Sequence, residues 1–382
     1  MDHLGHVLIR SDLNVPIDQS VILDDYRIKK ASQLIPLIKE KTNSITFISH
    51  LGRPVDHDKA FSLRQLVDSL SQYTSSHINF INDVQGDEVA EAILNTKEFQ
   101  IYLLENLRYY DGEVQNDESF AKNVTAPFDT YIFDAFGASH REHASVVKFG
   151  DYLDSFQGPL VKEELLELNA ISNSDQDGLS VILGGAKISD KIQLIKHLIT
   201  KVESLLIGGA MCFTLLKAMG HDVGDSLYEE DYLEECIDII HDENFEKIQL
   251  PIDFGVTDNM ESSHRFDVSY DNIGPTQIGV DIGMATVRRF QETILKSKTI
   301  FWNGPMGVFE RDEFSKGTSE ITGIVASSKA YTVIGGGDTV SAVRKFGNIE
   351  DINYVSTGGG ASLEYLGGKQ LPGINKYPSL II

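Results

Sequence analysis

Four times in the second half of this 382-residue chain an apolar run ends in a glycine turn and passes into a helical pattern. These are VILGGAK at 181–187, SLLIGGAM at 204–211, YTVIGGGDT at 331–339 and NYVSTGGGAS at 353–362. A strand that feeds a helix rejoins its sheet by a crossover, and repeated crossovers build a mostly parallel sheet with helices on both faces. Parallel strands bring their carboxyl ends to one edge, which is where ligands bind in such sheets. Glycine there lets the backbone approach an anion, and the N–H groups of the first helical turn point at it along the helix dipole. A single turn of this kind occurs for packing alone; the repetition points to a ligand. Gly335, Gly336 and Gly337, followed by Asp338 and Thr339, make the fullest phosphate cradle. No GK[ST] follows any of the turns, so a lysine for phosphate must come from elsewhere, and Lys187 and Lys191 in GGAKISDK are at hand.

The first half carries a different signature. Strand HVLIRSDLNVP (6–16) ends in Arg10, Asp12 and Asn14; the strand at 44–49 runs into His50 and Arg53. QIYLLENLR (100–108) delivers Arg108, and TYIFDAFG (130–137) delivers His140, Arg141 and His143. Arg27 opens a helical pattern (Ile28, Ala31, Leu34, Ile35, Ile38) interrupted by Pro36. A lone surface Arg is usually solvated and a lone His usually satisfied within the protein. Convergence of Arg27, His50, Arg53, Arg108, His140 and Arg141 on one sheet edge predicts an anion site, because guanidinium suits phosphate and carboxylate. Charge sharpens the point: with a net charge of −24, nucleic acid and anionic membrane are poor partners, and an anionic substrate needs a local basic cluster.

Length predicts two α/β domains. The run GPLVKEELLELNAI (158–171) reads as a connecting helix, so the expected division is residues 1–155, a hinge helix over 156–172, and residues 173–365. The tail, 366–382, is short and rich in Gly and Pro and is expected to pack back on the first domain. Six apolar runs in the second half (SVILG, SLLIG, KIQLPID, TIFWNG, YTVIG, NYVST) predict a doubly wound, mostly parallel, Rossmann-like sheet. No apolar run reaches the length of a membrane span, the start MDHLGH lacks a signal-peptide pattern, and Cys212 and Cys236 make no disulfide framework. A cytoplasmic monomer is expected. A dinucleotide-dependent oxidoreductase is disfavoured, since no GxGxxG opens a first βαβ unit with an acidic residue about twenty positions on. The remaining rival is a nucleotide-binding module without catalysis.

The blocks VLIRSDLNVP, SHLGRP, LLENLR, DAFGASHREHAS, LGGAKISDKI, IGGAMCFTLLK, WNGPMGVFE, IGGGDT and STGGGASLEYL, in this order and spacing, closely resemble the phosphoglycerate kinase family over nearly the whole chain. The resemblance implies a bilobed, hinge-bending kinase that transfers a phosphoryl group reversibly between ATP and 3-phosphoglycerate, giving ADP and 1,3-bisphosphoglycerate, with Mg2+ as cofactor. It implies that Asp12, Asn14, Arg27, His50, Arg53, Arg108 and Arg141, with His140 beside them, bind 3-phosphoglycerate. Lys187 and Lys191 then hold nucleotide phosphates, and Lys191 with Arg27 holds the transferring group. Gly184, Gly185, Gly208 and Gly209 would let the adenine lie flat, Glu310 would read the ribose, and Asn303 belongs to the same nucleotide set. Asp338 is implied as the magnesium ligand and Thr339 as a phosphate contact. Gly335, Gly336 and Gly337 with Gly358, Gly359 and Gly360 are implied as turns whose helix N-termini face the transferring phosphate. Arg retained at 27, Lys at 191 and Asp at 338 argue against a module that has lost catalysis.

Four positions depart from the family's usual pattern: Leu13 for Phe, Ala210 for Gly, Met284 for Pro, and Glu142 where a small residue is usual. Turned into the basic patch, Glu142 would oppose an anion; turned to solvent, it would be silent.

With acceptor and donor assigned to separate domains, and the reacting atoms needing to approach within about 3–3.5 Å, binding is expected to close a hinge near residues 150–158 and 172–178. The radius of gyration in solution should fall most in the ternary complex of 3-phosphoglycerate with an inert ATP analogue, and only partly with either ligand. A ternary complex no more compact than the free protein would mean an already closed resting form or substrates assigned to the wrong domains.

Overall fold

The computed structural model describes residues 3–172, 178–374 and 376–380. The chain divides into two compact units, Met1–Leu166 with Gln370–Ile382, and Glu167–Lys369. The division falls within the helix Pro159–Ser172. Most of the predicted hinge loop at 172–178 lies outside the described residues.

The first unit is built on six strands: β1 (Gly5–Ser11), β2 (Thr42–Ile48), β3 (Ile78–Ile81), β4 (Gln100–Leu104), β5 (Thr130–Asp134) and β6 (Asp154–Gln157). They lie in the order β3-β4-β2-β1-β5-β6 with every neighbouring pair parallel. β1 is buried from Val7 onward because helices cover both faces of a parallel sheet, so its strands read as apolar runs rather than alternating ones. Ile9, Ile45, Phe47, Leu103 and Ile132 pack there with Ile28, Leu34, Leu66 and Leu70. Register is level across the centre: Ile9 faces Phe47 on one side and Ile132 on the other. The strands therefore end together. The helical pattern after Arg27 is broken, with Tyr26–Ser32 separate from Ile35–Ile38, because Pro36 supplies no N–H and is tolerated only in the first turn of a new helix.

Two contacts finish this unit. Buried Asp134, the last residue of β5, caps the helix Pro159–Ser172, its Oδ1 accepting from Leu160 N at 2.8 Å and Val161 N at 3.2 Å. Burial pushes its carboxyl up to about 7. The C-terminal tail runs along β6: Gln157 N donates to Pro378 O at 2.8 Å and Leu380 N to Gln157 O at 3.0 Å. Tyr377 packs on the rings of Tyr131 and Phe133, and its hydroxyl donates to Val146 O at 2.9 Å.

The second unit holds β7 (Leu179–Leu183), β8 (Ser204–Ile207), β9 (Ile248–Gln249), β10 (Asp253–Thr257), β11 (Phe266–Ser269), β12 (Ile278–Ile282), β13 (Thr299–Asn303), β14 (Tyr331–Gly335) and β15 (Tyr354–Ser356). Six form a parallel sheet, β9-β8-β7-β13-β14-β15. The other three form an antiparallel sheet, β11-β10-β12, which the sequence pattern does not predict. The predicted strand KIQLPID is two: Pro251 interrupts it, and the chain after Pro251 leaves the parallel sheet for the antiparallel one. The α/β class with two mostly parallel sheets is as expected from sequence.

Because Tyr377 both fills a ring cluster and makes a hydrogen bond, its two contributions separate. Tyr377→Phe should cost the first unit about 1 kcal/mol and Tyr377→Ala about 3–4 kcal/mol. Urea unfolding followed by far-UV circular dichroism measures both; an Ala variant as stable as the parent would mean that the tail anchors nothing.

Candidate active site

In each unit the chain reverses its direction of travel across the sheet beside the first strand, at β1 between β2 and β5 and at β7 between β8 and β13. A crevice opens at such points outside the carboxyl ends of the strands.

At the edge of the first sheet the predicted residues gather around the turn that follows β2. Asn14 Oδ1 accepts from Gly52 N at 2.8 Å, and Arg108 Nη1 donates to Gly52 O at 2.5 Å. Arg27 Nη1 donates to Asn14 O at 2.9 Å and pairs with buried Asp12 at 3.2 Å. His50 is buried against Arg10, with Nδ1 and Nη2 3.0 Å apart. His140 is partly buried, and Arg53 and Arg141 are exposed. The cations feel one another. Burial and the nearby Arg10, Arg141 and Arg53 pull Arg108 down to about 10. Burial together with Arg108, Arg10, Arg141 and His140 pulls His143 down to about 4. His50 falls well below its ordinary 6.5 through burial, Arg10, Arg108 and Arg27. Such mutual depression marks a region whose field favours an anion. Glu142 is exposed.

At the edge of the second sheet, glycine turns interlock. Gly184 N donates to Asn303 O, Gly185 N to Pro305 O and Gly209 N to Met306 O, each at 3.0 Å. A Cβ at Gly184 would overlap the carbonyls of Gly304 and Pro305, and one at Gly209, at φ +66°, would overlap Gly185. Backbone packing alone thus demands glycine at 184 and 209, whatever binds there, and at Gly208 a Cβ would meet the Met306 sulfur. Gly337 and Gly360 differ: each opens a helix, and a Cβ at either would stand in open space. Gly336 and Gly359 supply the positive φ just before them; Gly335 is the last residue of β14, and Gly358 lies between β15 and Gly359.

Lys191 is buried, its Nζ donating to Gly184 O and, at 2.8 Å, to Asn303 O. Burial pulls its amine from 10.5 to about 7, against the pull of Asp190 and Asp338. Lys187 is exposed. Asn303 Nδ2 donates to Gly335 O at 2.7 Å. Thr339 Oγ1 donates to Gly335 O at 2.8 Å and accepts from Gly304 N at 2.7 Å, so what Thr339 offers a ligand is its backbone N–H. Buried Trp302 donates Nε1–H to Gly304 O at 2.8 Å and braces the turn.

Beside these turns lies a cavity lined by Gly185, Gly209, Phe213, Phe254, Val280 and Met306, with Glu310 and Asp338 among its carboxylates. The rings of Phe213 and Phe254 lie 4.6 Å apart, tilted by 37°. Neither is predicted from sequence: Phe254 sits in the unanticipated antiparallel sheet, and no periodic signal distinguishes either from core. Arg10 is likewise seen in the sequence but not placed among the binding residues. Among the described residues no group of three or more His, Cys, Asp or Glu side chains could hold a metal. A single exposed carboxylate such as Asp338 suits an ion that takes its other ligands from phosphate and water, as Mg2+ does.

The sequence profile of the phosphoglycerate kinase family matches residues 4–369. The chain is 42% identical over 374 residues to the phosphoglycerate kinase of Rubrobacter xylanophilus, covering 97% of this chain and 95% of that one. It is 43% identical over 375 residues to that of Finegoldia magna, with the same coverage of both. Among solved structures, the phosphoglycerate kinase of Coxiella burnetii matches with a TM-score of 0.83 at 36% identity, and that of Pyrococcus horikoshii with 0.86 at 28%, each over 97% of this chain and 95% of the other. The glycine turns, the basic edge and these relatives agree, and the chain belongs to the phosphoglycerate kinase family.

Proposed function

We propose that the basic edge of the first unit holds 3-phosphoglycerate and the glycine edge of the second holds ATP or ADP, dividing the family's reversible phosphoryl transfer between them. The observation that carries this reading is the open space at Gly337 and Gly360: packing does not demand glycine there, whereas a phosphate drawn onto the first-turn N–H groups does.

In the forward direction the nucleophile is the carboxylate of 3-phosphoglycerate, already ionised at neutral pH, so no general base is needed. What the protein supplies is position and charge. Arg27, steered by Asp12 and Asn14, and Arg108, steered by Gly52, present guanidinium N–H groups to the anion. Lys191 and the N–H groups at 337–339 meet the phosphates of the nucleotide, where charge spreads in the transition state. The adenine enters the cavity of Phe213 and Phe254, with Glu310 at the ribose. Asp338 would hold Mg2+, which would supply positive charge to offset that of the nucleotide phosphates. A monomer in the cytoplasm, without nucleic-acid or membrane partners, is consistent with the net charge of −24; no helix among the described residues is long and apolar enough to cross a membrane.

A coupled assay with ATP, Mg2+ and 3-phosphoglycerate tests the assignment. Asp338→Ala should lower turnover at least about a hundredfold while circular dichroism stays unchanged; full activity would remove Asp338 from the site.

Lys191 makes a second test. Its amine is largely neutral in the free protein at pH 8, above a pKa of about 7, and an approaching phosphate raises that pKa again. Binding of Mg-free ADP at pH 8 should therefore take up about one proton, and at pH 6, where the amine is already charged, far less. Calorimetry in buffers of different ionisation enthalpy reads the uptake. Lys191→Met should abolish it, and no uptake in the parent would place Lys191 away from the phosphates.

A further inference from the structure

Among the described residues Arg10 is, after Trp302, the largest fully buried side chain, and binding an anion does not explain why a guanidinium is sealed beneath the basic edge. Its hydrogen bonds do. Nε donates to Ser145 Oγ at 3.0 Å, Nη1 to Ser11 O at 2.5 Å and to Ser49 Oγ at 3.4 Å, and Nη2 lies 3.0 Å from His50 Nδ1. A guanidinium has only donors, so His50 Nδ1 must accept. An imidazole that accepts at Nδ1 is neutral and carries its proton on Nε2, and Nε2 makes no hydrogen bond among the described residues.

The other end of the chain has a fixed direction as well. Ser145 Oγ, having accepted from Arg10, donates its own proton to Glu113 Oε1 at 2.6 Å, and Ser145 N donates to Oε2 at 2.9 Å. Glu113 is buried, and its charge reaches the guanidinium through the serine. The charged and titratable groups around His50 are Arg10 from β1, Arg27 from the helix Tyr26–Ser32, Arg108 from the turn after β4 and His143 from the loop after β5. None of them favours a second positive charge on the ring.

We propose that Arg10, oriented by Ser145 and Glu113, is a positioning residue that locks His50 as the neutral Nε2–H tautomer, so that the edge offers 3-phosphoglycerate a directed donor there rather than a titrating charge. The inference rests on the reading of this edge as the 3-phosphoglycerate site. It explains how a histidine among arginines serves an acid-binding site: as a donor whose state does not vary over the pH range in which free histidine changes charge.

The test is two-bond 1H–15N correlation spectroscopy of the full chain labelled in histidine, with His50 assigned by its loss in His50→Gln. Between pH 5.5 and 8 the parent should show the Nε2–H pattern at His50 without titration. In Arg10→Met the pattern should average between tautomers and titrate, while KM for 3-phosphoglycerate rises about tenfold and becomes pH-dependent and KM for ATP holds. An imidazolium or Nδ1–H pattern in the parent overturns the lock, and that spectrum decides it even if Arg10→Met fails to fold. A folded Arg10→Met with unchanged tautomer and unchanged KM also overturns it, leaving Arg10 a purely structural residue. Addition of 3-phosphoglycerate should shift the parent's Nε2 and its proton. A locked His50 that ignores the ligand overturns the positioning role and counts against the site reading, whereas an unlocked one that responds overturns the lock alone.

Discussion

Parallel pairing in level register is the constraint on which the rest depends. Ile9 opposite both Phe47 and Ile132 makes β1, β2 and β5 end at one height, and that alone brings Asp12, His50 and the loop of His140 to one edge. In the second unit the pairing of Asn303 with Leu183 and with Gly335 does the same for three glycine turns. Both faces of these strands are buried, so a slip of one residue would misfit side chains packed against the helices on either side, and the apolar runs that hold the sheets together also set the height of the site.

Charge is handled differently at the two edges. The basic edge gathers Arg10, Arg27, Arg108 and several histidines inside an acidic protein, and burial, reinforced by mutual repulsion, lowers the proton affinity of His50, His143 and Arg108. Buried carboxylates at Asp12 and Glu113 hold two of those arginines in orientation and leave the outward field positive. The glycine edge carries one buried amine, Lys191, held by carbonyl oxygens rather than a carboxylate. Backbone carbonyls orient the amine without supplying a counter-charge, which leaves it able to take up a proton as a phosphate approaches.

The departures from the family pattern fall in different surroundings. Met284, where the family usually carries proline, donates its N–H to Asp267 Oδ2 at 3.0 Å, a bond proline could not make. Ala210 lines the apolar cavity just before the helix Met211–Ala218. Glu142 is exposed beside exposed Arg141, where solvent and salt screen its charge. For Leu13, buried in the core of the first unit, nothing in the structure explains the choice over Phe.

By itself the sequence determined the class of fold and the chemical character of each edge, because apolar runs ending in glycine or arginine are local patterns with one economical reading. It also singled out Gly337, Asp338 and Lys191 as candidates to meet a phosphate. What it left open was every relation that depends on distant segments meeting. The exit of the chain from the parallel sheet after Pro251, and the Phe213–Phe254 pair this creates, follow from strand pairing across residues 253–282. Likewise the glycines at 184 and 209 resemble ligand-facing turns in sequence, and only the approach of the 304–306 backbone and of Gly185 shows packing to be reason enough for them. Arg10 and Glu113 stand 103 positions apart; their link through Ser145, and with it the state of His50, exists only once β1, the end of β2 and the short helices Asp111–Val114 and Ala144–Val147 are packed together.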